Sequence, residues 1–246
     1  MKTAILITAR LKSTRLKKKV LKEIEGRPML SHMVERLRLA KHSEQIILCT
    51  STVEQDNDLE TFANSEGIDC FRGHPDDVLS RMNFAAKKFG VDTVVSCTAD
   101  NPFVDPVYID KLVDFHLAND NDFSRSEGLP FGVFAYALKQ TAIEEACKIK
   151  DEIDTEVWGG YFTQAGIFKC GVLQVLDPVV RWPNLRLTVD TQEDFDLITE
   201  IFSHLYHGNN KFTLEEIVGL CVDNPELLNI NSDVEQKKAP PIKLKF

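Results

Sequence analysis

The chain has 246 residues, of which 43% are hydrophobic and 27% charged, and a formal net charge of -9. That is enough apolar chain for one large or two small domains with a sizeable core, and the acidity argues against nucleic acid as the main partner. No uninterrupted apolar run is long enough for a bilayer, and the N-terminus lacks the apolar region of a signal peptide, so no membrane is expected. The six cysteines are scattered with no CxxC pair, which disfavours zinc and predicts reduced thiols in a cytoplasmic protein.

Strand-like and helix-like segments alternate through the first half. Residues 4–8 (AILIT) have the length and branching of a buried strand. Pro28 then opens a helix with Met29, Leu30, Met33, Val34 and Leu37 on one side. A strand is predicted over 45–50, a helix over 56–67 stopped by Gly67, and a short strand over 68–71. Asp76 and Asp77 begin a helix that runs to Gly90, with acids at its electropositive end. A strand over 93–98 and a helix over 106–117 complete the series. The alternation predicts an α/β fold: right-handed βαβ units and a mostly parallel sheet with helices on both faces. The rhythm breaks in 120–171, which contains hairpin-like pieces, one helix over 140–148 and an aromatic string from Trp158 to Phe162. This region is expected to be an insertion in a single domain spanning 1–230. The core resumes with a strand over 185–190 and helices over 192–206 and 213–222, followed by an extended tail over 231–246.

Three features carry chemistry. The first strand leads directly into seven cationic side chains, Arg10, Lys12, Arg15, Lys17, Lys18, Lys19 and Lys22, a local exception in an acidic chain. A cationic loop at the carboxyl end of a buried strand is where open α/β sheets bind anionic ligands. Arg10, Arg15 and Lys19 can surround a triphosphate as the loop folds back; a solvated surface loop or a nucleic-acid patch is the plainer alternative. There is no GxxxxGK[ST], so the loop is not a P-loop. Asp100 ends the strand over 93–98 and Asp190 ends the one over 185–190. Taken singly, each has an ordinary explanation as turn or helix-cap chemistry. Taken together, two aspartates at one sheet edge facing a cationic loop can hold one Mg²⁺ against a phosphate.

The line ITARLKSTRLKKKVLKEIEGRPMLSHMVERL, followed in order by FRGHPDDVLSR, TADNPFVDP and LRLTVDTQEDFDL, resembles the cytidylyltransferase family. That family includes the CMP-Kdo and CMP-sialate synthetases and the SpsF-type spore-coat polysaccharide proteins. The resemblance implies the nucleotide-diphospho-sugar transferase (Rossmann-like) fold, with the insertion serving as a dimerisation subdomain. It implies transfer of CMP from CTP to a sugar acid or other small acidic or phosphorylated acceptor, in polysaccharide or glycoconjugate biosynthesis, with Mg²⁺ as cofactor. By the same resemblance Arg10, Arg15 and Lys19 meet the phosphates, with Lys19 the catalytic lysine. The backbone from Thr8 through Ala9 and Arg10 to Leu11 cradles cytosine, Ser13 lies near the phosphates, and Asp100 and Asp190 hold the metal. The chain departs from the pattern at Lys17 and Lys18, which replace a Pro-Gly, and in the acceptor region. Acceptor contacts are expected from Arg125, Phe131, Glu156 and Trp158. Two alternatives stay open: a UTP- or GTP-dependent sugar-1-phosphate nucleotidyltransferase or a glycosyltransferase of the same fold, and a non-catalytic nucleotide- or nucleic-acid-binding protein.

Overall fold

Each βαβ unit places its strand where the apolar run predicts. The computed structural model describes residues 1–236 and 241–245. It begins with β1 (Thr3–Thr8), a small hairpin of β2 (Glu23–Ile24) and β3 (Arg27–Pro28), and helix α1 (Met29–Leu37). There follow β4 (Gln45–Ser51), α2 (Asn57–Glu66), β5 (Asp69–Gly73), α3 (Val78–Phe89), β6 (Thr93–Thr98) and α4 (Pro106–Ala118). The remainder forms β7 (Phe123–Glu127), β8 (Tyr136–Lys139), α5 (Gln140–Ile149), the single turn α6 (Gly160–Thr163) and β9 (Cys170–Gln174). Then come α7 (Gln192–Leu205) and α8 (Leu214–Asp223).

The central sheet has seven strands in the order β5-β4-β1-β6-β8-β7-β9. β1 lies parallel between β4 and β6, with Ile5 opposite Ile46 on one side and Val95 on the other. Only β8 runs against the rest, pairing antiparallel with both β6 and β7. The sheet's last three strands therefore come from 123–174, so the edge strand β9, which pairs parallel with β7, runs three residues past the stretch 120–171. The part of the expected tail at 237–240 and at 246 lies outside the described residues.

Both faces of a parallel sheet must be covered, so its strands are apolar on both sides. Ile5 and Ile7 of β1 face a core shared with α1, α4, α7 and α8, whereas Ala4 and Leu6 face one shared with α3 and α5. Cys49 and Cys97 are buried free thiols in these cores, and burial pushes each thiol pKa up to about 12.

The expectation for 185–190 needs correction. This segment is extended but is not a sheet strand; its only ladder contact among the described residues is a single parallel bridge between Phe131 and Arg186. Its hydrogen bonds go to loops: Phe131 N donates to Leu185 O at 2.8 Å, Leu187 N to Phe131 O at 2.7 Å, and Val189 N to Asp100 O at 2.9 Å. Gly132 allows this close lacing. Its φ is +102°, and a Cβ there would sit 2.6 Å from Thr188 N. The segment thereby brings Asp190 to the edge where β6 ends, although the two are far apart in sequence.

Candidate active site

The cationic loop crosses the carboxyl edge of β1 and is pinned at both ends. Ala9 N donates to Cys49 O at 3.1 Å, and Thr8 O accepts from Ala99 N at 3.1 Å. Leu11 N donates to the carboxylate of Asp56, 2.8 Å away. Asp56 is 1% exposed and takes a second hydrogen bond, 2.5 Å long, from Ser51 Oγ at the end of β4. Ser13 Oγ accepts from Leu16 N at 3.4 Å and so shapes the middle of the loop. At the far end Lys18 adopts φ 50°, ψ 31°, the left-handed conformation that glycine takes at little cost. Lys18 thus makes the turn where the resemblance implies a glycine, and its ammonium is held 2.6 Å from Asp58.

Beyond that turn Lys19 draws the two aspartates together. Its ammonium donates to Asp100 Oδ2 at 3.0 Å, Asp190 Oδ1 at 3.0 Å and Val189 O at 2.6 Å, which uses all three of its protons. Burial pulls the Lys19 pKa down, but the two carboxylates outweigh it and hold the pKa above the ordinary lysine value. Arg15 adds a second cation 3.0 Å from Asp190 Oδ1, and Arg186 donates to Asp190 Oδ2 at 3.1 Å. Burial acts to raise the Asp190 pKa; Lys19, Arg15 and Arg186 overcome it and keep the carboxyl ionised below its usual range.

Arg186 is itself fixed by Asp194, a completely buried carboxylate, through bonds of 2.8 and 2.9 Å. The same carboxylate accepts from Asp190 N at 2.9 Å and Thr191 N at 3.1 Å, within the Thr191/Asp194 capping box that starts α7. The acid of the α7 capping box therefore also orients Asp190.

Arg10 goes elsewhere. Its side chain is 8% exposed and pairs with Asp76 at 2.7 Å and with the carbonyl of Pro75, on the turn between β5 and α3. Its second terminal nitrogen lies 3.7 Å from Glu156. Lys12 meets the same two acids, at 3.3 Å from Asp76 and 3.4 Å from Glu156. Arg15 and Lys19 thus converge on Asp190 while Arg10 is turned to the other flank, because Asp76 offers it the nearer carboxylate.

The four residues expected to meet the acceptor do not converge either. Trp158 is 5% exposed and belongs to the core under α3 and α5, with ring centroids 5.3 Å from Tyr136 and 5.8 Å from Phe162. Burial against these rings leaves it no free face. Arg125 pairs with Glu127 on its own strand. Glu156 stands beside Arg10 and Lys12. Phe131 alone adjoins the Arg186 side, its ring 5.7 Å below the guanidinium.

Sequence reading missed Asp56, Arg186 and Asp194. Arg186 and Asp194 had a signal, since both lie at spacings that put them beside Asp190; Asp56 had none, its partner being 45 residues away. Asp56→Ala leaves Leu11 N buried without a partner, at about 1–3 kcal/mol. The expected outcome is a roughly tenfold loss of affinity for a nucleoside triphosphate, read by calorimetric titration.

Among the described residues no three His, Cys, Asp or Glu side chains form a metal-binding group, and no helix is long and apolar enough to cross a membrane. What the edge offers is a pair of carboxylates and one carbonyl already arranged around a cation, with arginines on either side. Such an arrangement can bind a hard cation and a polyphosphate together.

Comparison with known proteins agrees with this geometry. A family model described as cytidylyltransferase matches residues 4–230. An uncharacterized protein of Methanocaldococcus jannaschii is 34% identical over 239 residues, covering 96% of this chain and 97% of its own. The spore coat polysaccharide biosynthesis protein SpsF of Bacillus subtilis is 27% identical over 228 residues, covering 90% and 94%. The solved structure of a cytidylyltransferase from Leptospira borgpetersenii superposes with a TM-score of 0.84 at 26% identity, covering 92% of this chain and 96% of its own. With most of its length matched by the family and its cationic loop closing on two aspartates at the sheet edge, this chain belongs to the cytidylyltransferase family.

Proposed function

We propose that the protein transfers CMP from CTP to a hydroxyl of a sugar acid, releasing pyrophosphate, in the assembly of a surface polysaccharide or glycoconjugate. The observation that carries this reading is the Lys19 ammonium bridging Asp100 and Asp190 at 3.0 Å each, with Arg15 and Arg186 against the same carboxylate. The acceptor oxygen attacks the α-phosphorus; a P–O bond forms as the bond from the α-phosphorus to the bridging oxygen breaks, and the hydroxyl proton passes to solvent. Charge builds on the departing pyrophosphate, and Arg15 and Lys19 stabilise it. Arg10 joins them only if it leaves Asp76. Leu11 N, held by Asp56, fixes the backbone that would cradle the base.

The oxygen set around Lys19 suits a hard divalent cation, which keeps one or two carboxylates and shares the substrate's phosphates. Asp100 and Asp190 would hold Mg²⁺, which supplies positive charge at the α-phosphate. Sheet-edge strand β9 and the exposed Ile153, Val157, Ile167, Leu176 and Val179, all from 153–179 of the sequence, support a homodimer formed through this half of the chain.

The test incubates the protein with Mg²⁺, each of the four nucleoside triphosphates, and a panel of sugar acids and sugar 1-phosphates. Pyrophosphate release is expected with CTP and a sugar acid, with a CMP-ester as product. A CDP-ester, or turnover with UTP or GTP alone, would replace the reading with a sugar-1-phosphate nucleotidyltransferase.

A further inference from the structure

The segment 185–190 alternates apolar and polar residues. Leu185, Leu187 and Val189 are buried in the core, Thr188 is buried at 5% exposure, and Arg186 and Asp190 are the two partly exposed residues. Arg186 and Asp190 are joined at 3.1 Å. Arg186 also lines a cavity of about 510 Å³ to which Asp190 does not contribute, within the range of small-molecule sites. Phe131 and Trp182 line it with half-buried aromatic surface, and Asn184, Arg186, Asn231 and Gln236 line it with hydrogen-bonding groups. Asn231 is 7% exposed and fixed by bonds to Arg186 O at 3.2 Å and Asp194 at 3.0 Å, so this part of the polar wall is held in place. Aromatic faces for C–H surface with amides and a guanidinium for hydroxyls and a carboxylate are the chemistry that recognises a sugar acid.

The Arg186 guanidinium is partitioned. Its Nε and Nη2 are taken by Asp194 and Asp190, but Nη1 donates to the side-chain carbonyl of Gln236. Gln236 is exposed and neutral, so its oxygen is readily exchanged for a ligand's.

We infer that this cavity is the acceptor subsite: the acceptor's carboxylate replaces Gln236 on Arg186 Nη1, and its ring packs against Trp182 and Phe131. Arg186 is then the wall shared by the acceptor and Asp190, and it places the acceptor beside the carboxylate pair that receives the nucleotide. This inference rests on the proposed cytidylyltransfer, and it moves the acceptor away from Trp158 and Arg125, which the fold commits to the core and to Glu127.

The test titrates 3-deoxy-manno-octulosonate by calorimetry into protein saturated with Mg²⁺ and α,β-methylene CTP. Trp182→Ala removes the aromatic face, and Gln236→Glu places a carboxylate of the chain on Arg186 where the ligand's would bind. Each variant is expected to weaken binding of the sugar acid about tenfold or more, while affinity for the CTP analogue stays within about twofold. Unchanged sugar-acid affinity in either variant, equal loss of affinity for the CTP analogue, or no binding of the acid to wild-type protein that does bind the analogue would overturn the subsite. Failure of the wild-type protein to bind the CTP analogue at all would instead overturn the cytidylyltransfer itself.

Discussion

Asp100→Ala is expected to lower metal-dependent pyrophosphate release from CTP by about 10²–10³-fold, the range seen when one preorganised electrostatic contact at a reacting centre is lost. The fold should survive. The Asp100 side chain is 28% exposed at the edge of the sheet, and its backbone carbonyl still accepts from Val189 N. Its removal frees one of the three Lys19 protons, leaving the ammonium with Asp190 and Val189 O. A thermal melt on the same sample separates loss of chemistry from loss of structure. Near-wild-type turnover in a folded Asp100→Ala protein would take Asp100 out of the site. Arg186→Met makes the complementary case. It leaves Asp190 in the chain but removes the 3.1 Å contact that orients it, and leaves Asp194 buried with a guanidinium missing. It should therefore lower both turnover and melting temperature, where Asp100→Ala lowers turnover alone.

The strands were legible because a strand covered on both faces must be apolar throughout. The run at 93–98 becomes β6 with the same bounds, and that at 4–8 becomes β1 with one residue added. Segment 185–190 misled for a related reason. The alternation Leu-Arg-Leu-Thr-Val-Asp reads the same whether the partner is a neighbouring strand or, as here, the loop at Phe131 and the turn at Asp100. The burial of Trp158 was not legible because the Gly-Gly after it hides the single turn α6, while the rings that bury it, Phe123 and Tyr136, come from strands of the preceding stretch. Convergence of Lys19 on Asp100 and Asp190 was legible from topology, since all three follow strand-like runs that end at one sheet edge. The turning of Arg10 toward Asp76 was not. A guanidinium's choice among carboxylates depends on side-chain geometry across 66 residues of chain, and neither pattern nor composition encodes it.

The largest effect on stability is expected from Asp77→Ala, outside the phosphate region but tied to it. Asp77 and Lys150 are 7% and 8% exposed and meet at 2.5 Å; Thr155 Oγ1 donates to the same carboxylate at 3.1 Å, and Ser80 donates through its backbone N at 3.0 Å as the cap of α3. Truncating the acid leaves a buried ammonium with, among the described residues, only Glu152 O as partner, at a cost of about 3–5 kcal/mol. The melting temperature should fall by roughly 10 °C in a chain of this size. Asp77→Ala combined with Lys150→Met removes both charges and should recover most of the loss, whereas equal loss in the single and double variants would mean that the cap alone matters. Acid gives an independent reading. Burial pushes the Asp77 carboxyl up, but Lys150 and the Ser80 hydrogen bonds outweigh it and hold its pKa below the ordinary range. The pair's stabilisation is therefore complete above about pH 4 and is lost as pH falls through the lower folded value, so the wild-type and variant melting curves should converge in strong acid. The consequence reaches the site through short backbone links. The turn that begins α3 carries Pro75 and Asp76, which hold Arg10, and Asp76 O accepts from Thr155 N at 3.1 Å, next to Glu156. Loosening the Asp77–Lys150 pair should free Arg10 from its acidic flank, so Asp77→Ala protein assayed well below its melting temperature should show an altered KM for CTP even where it is fully folded.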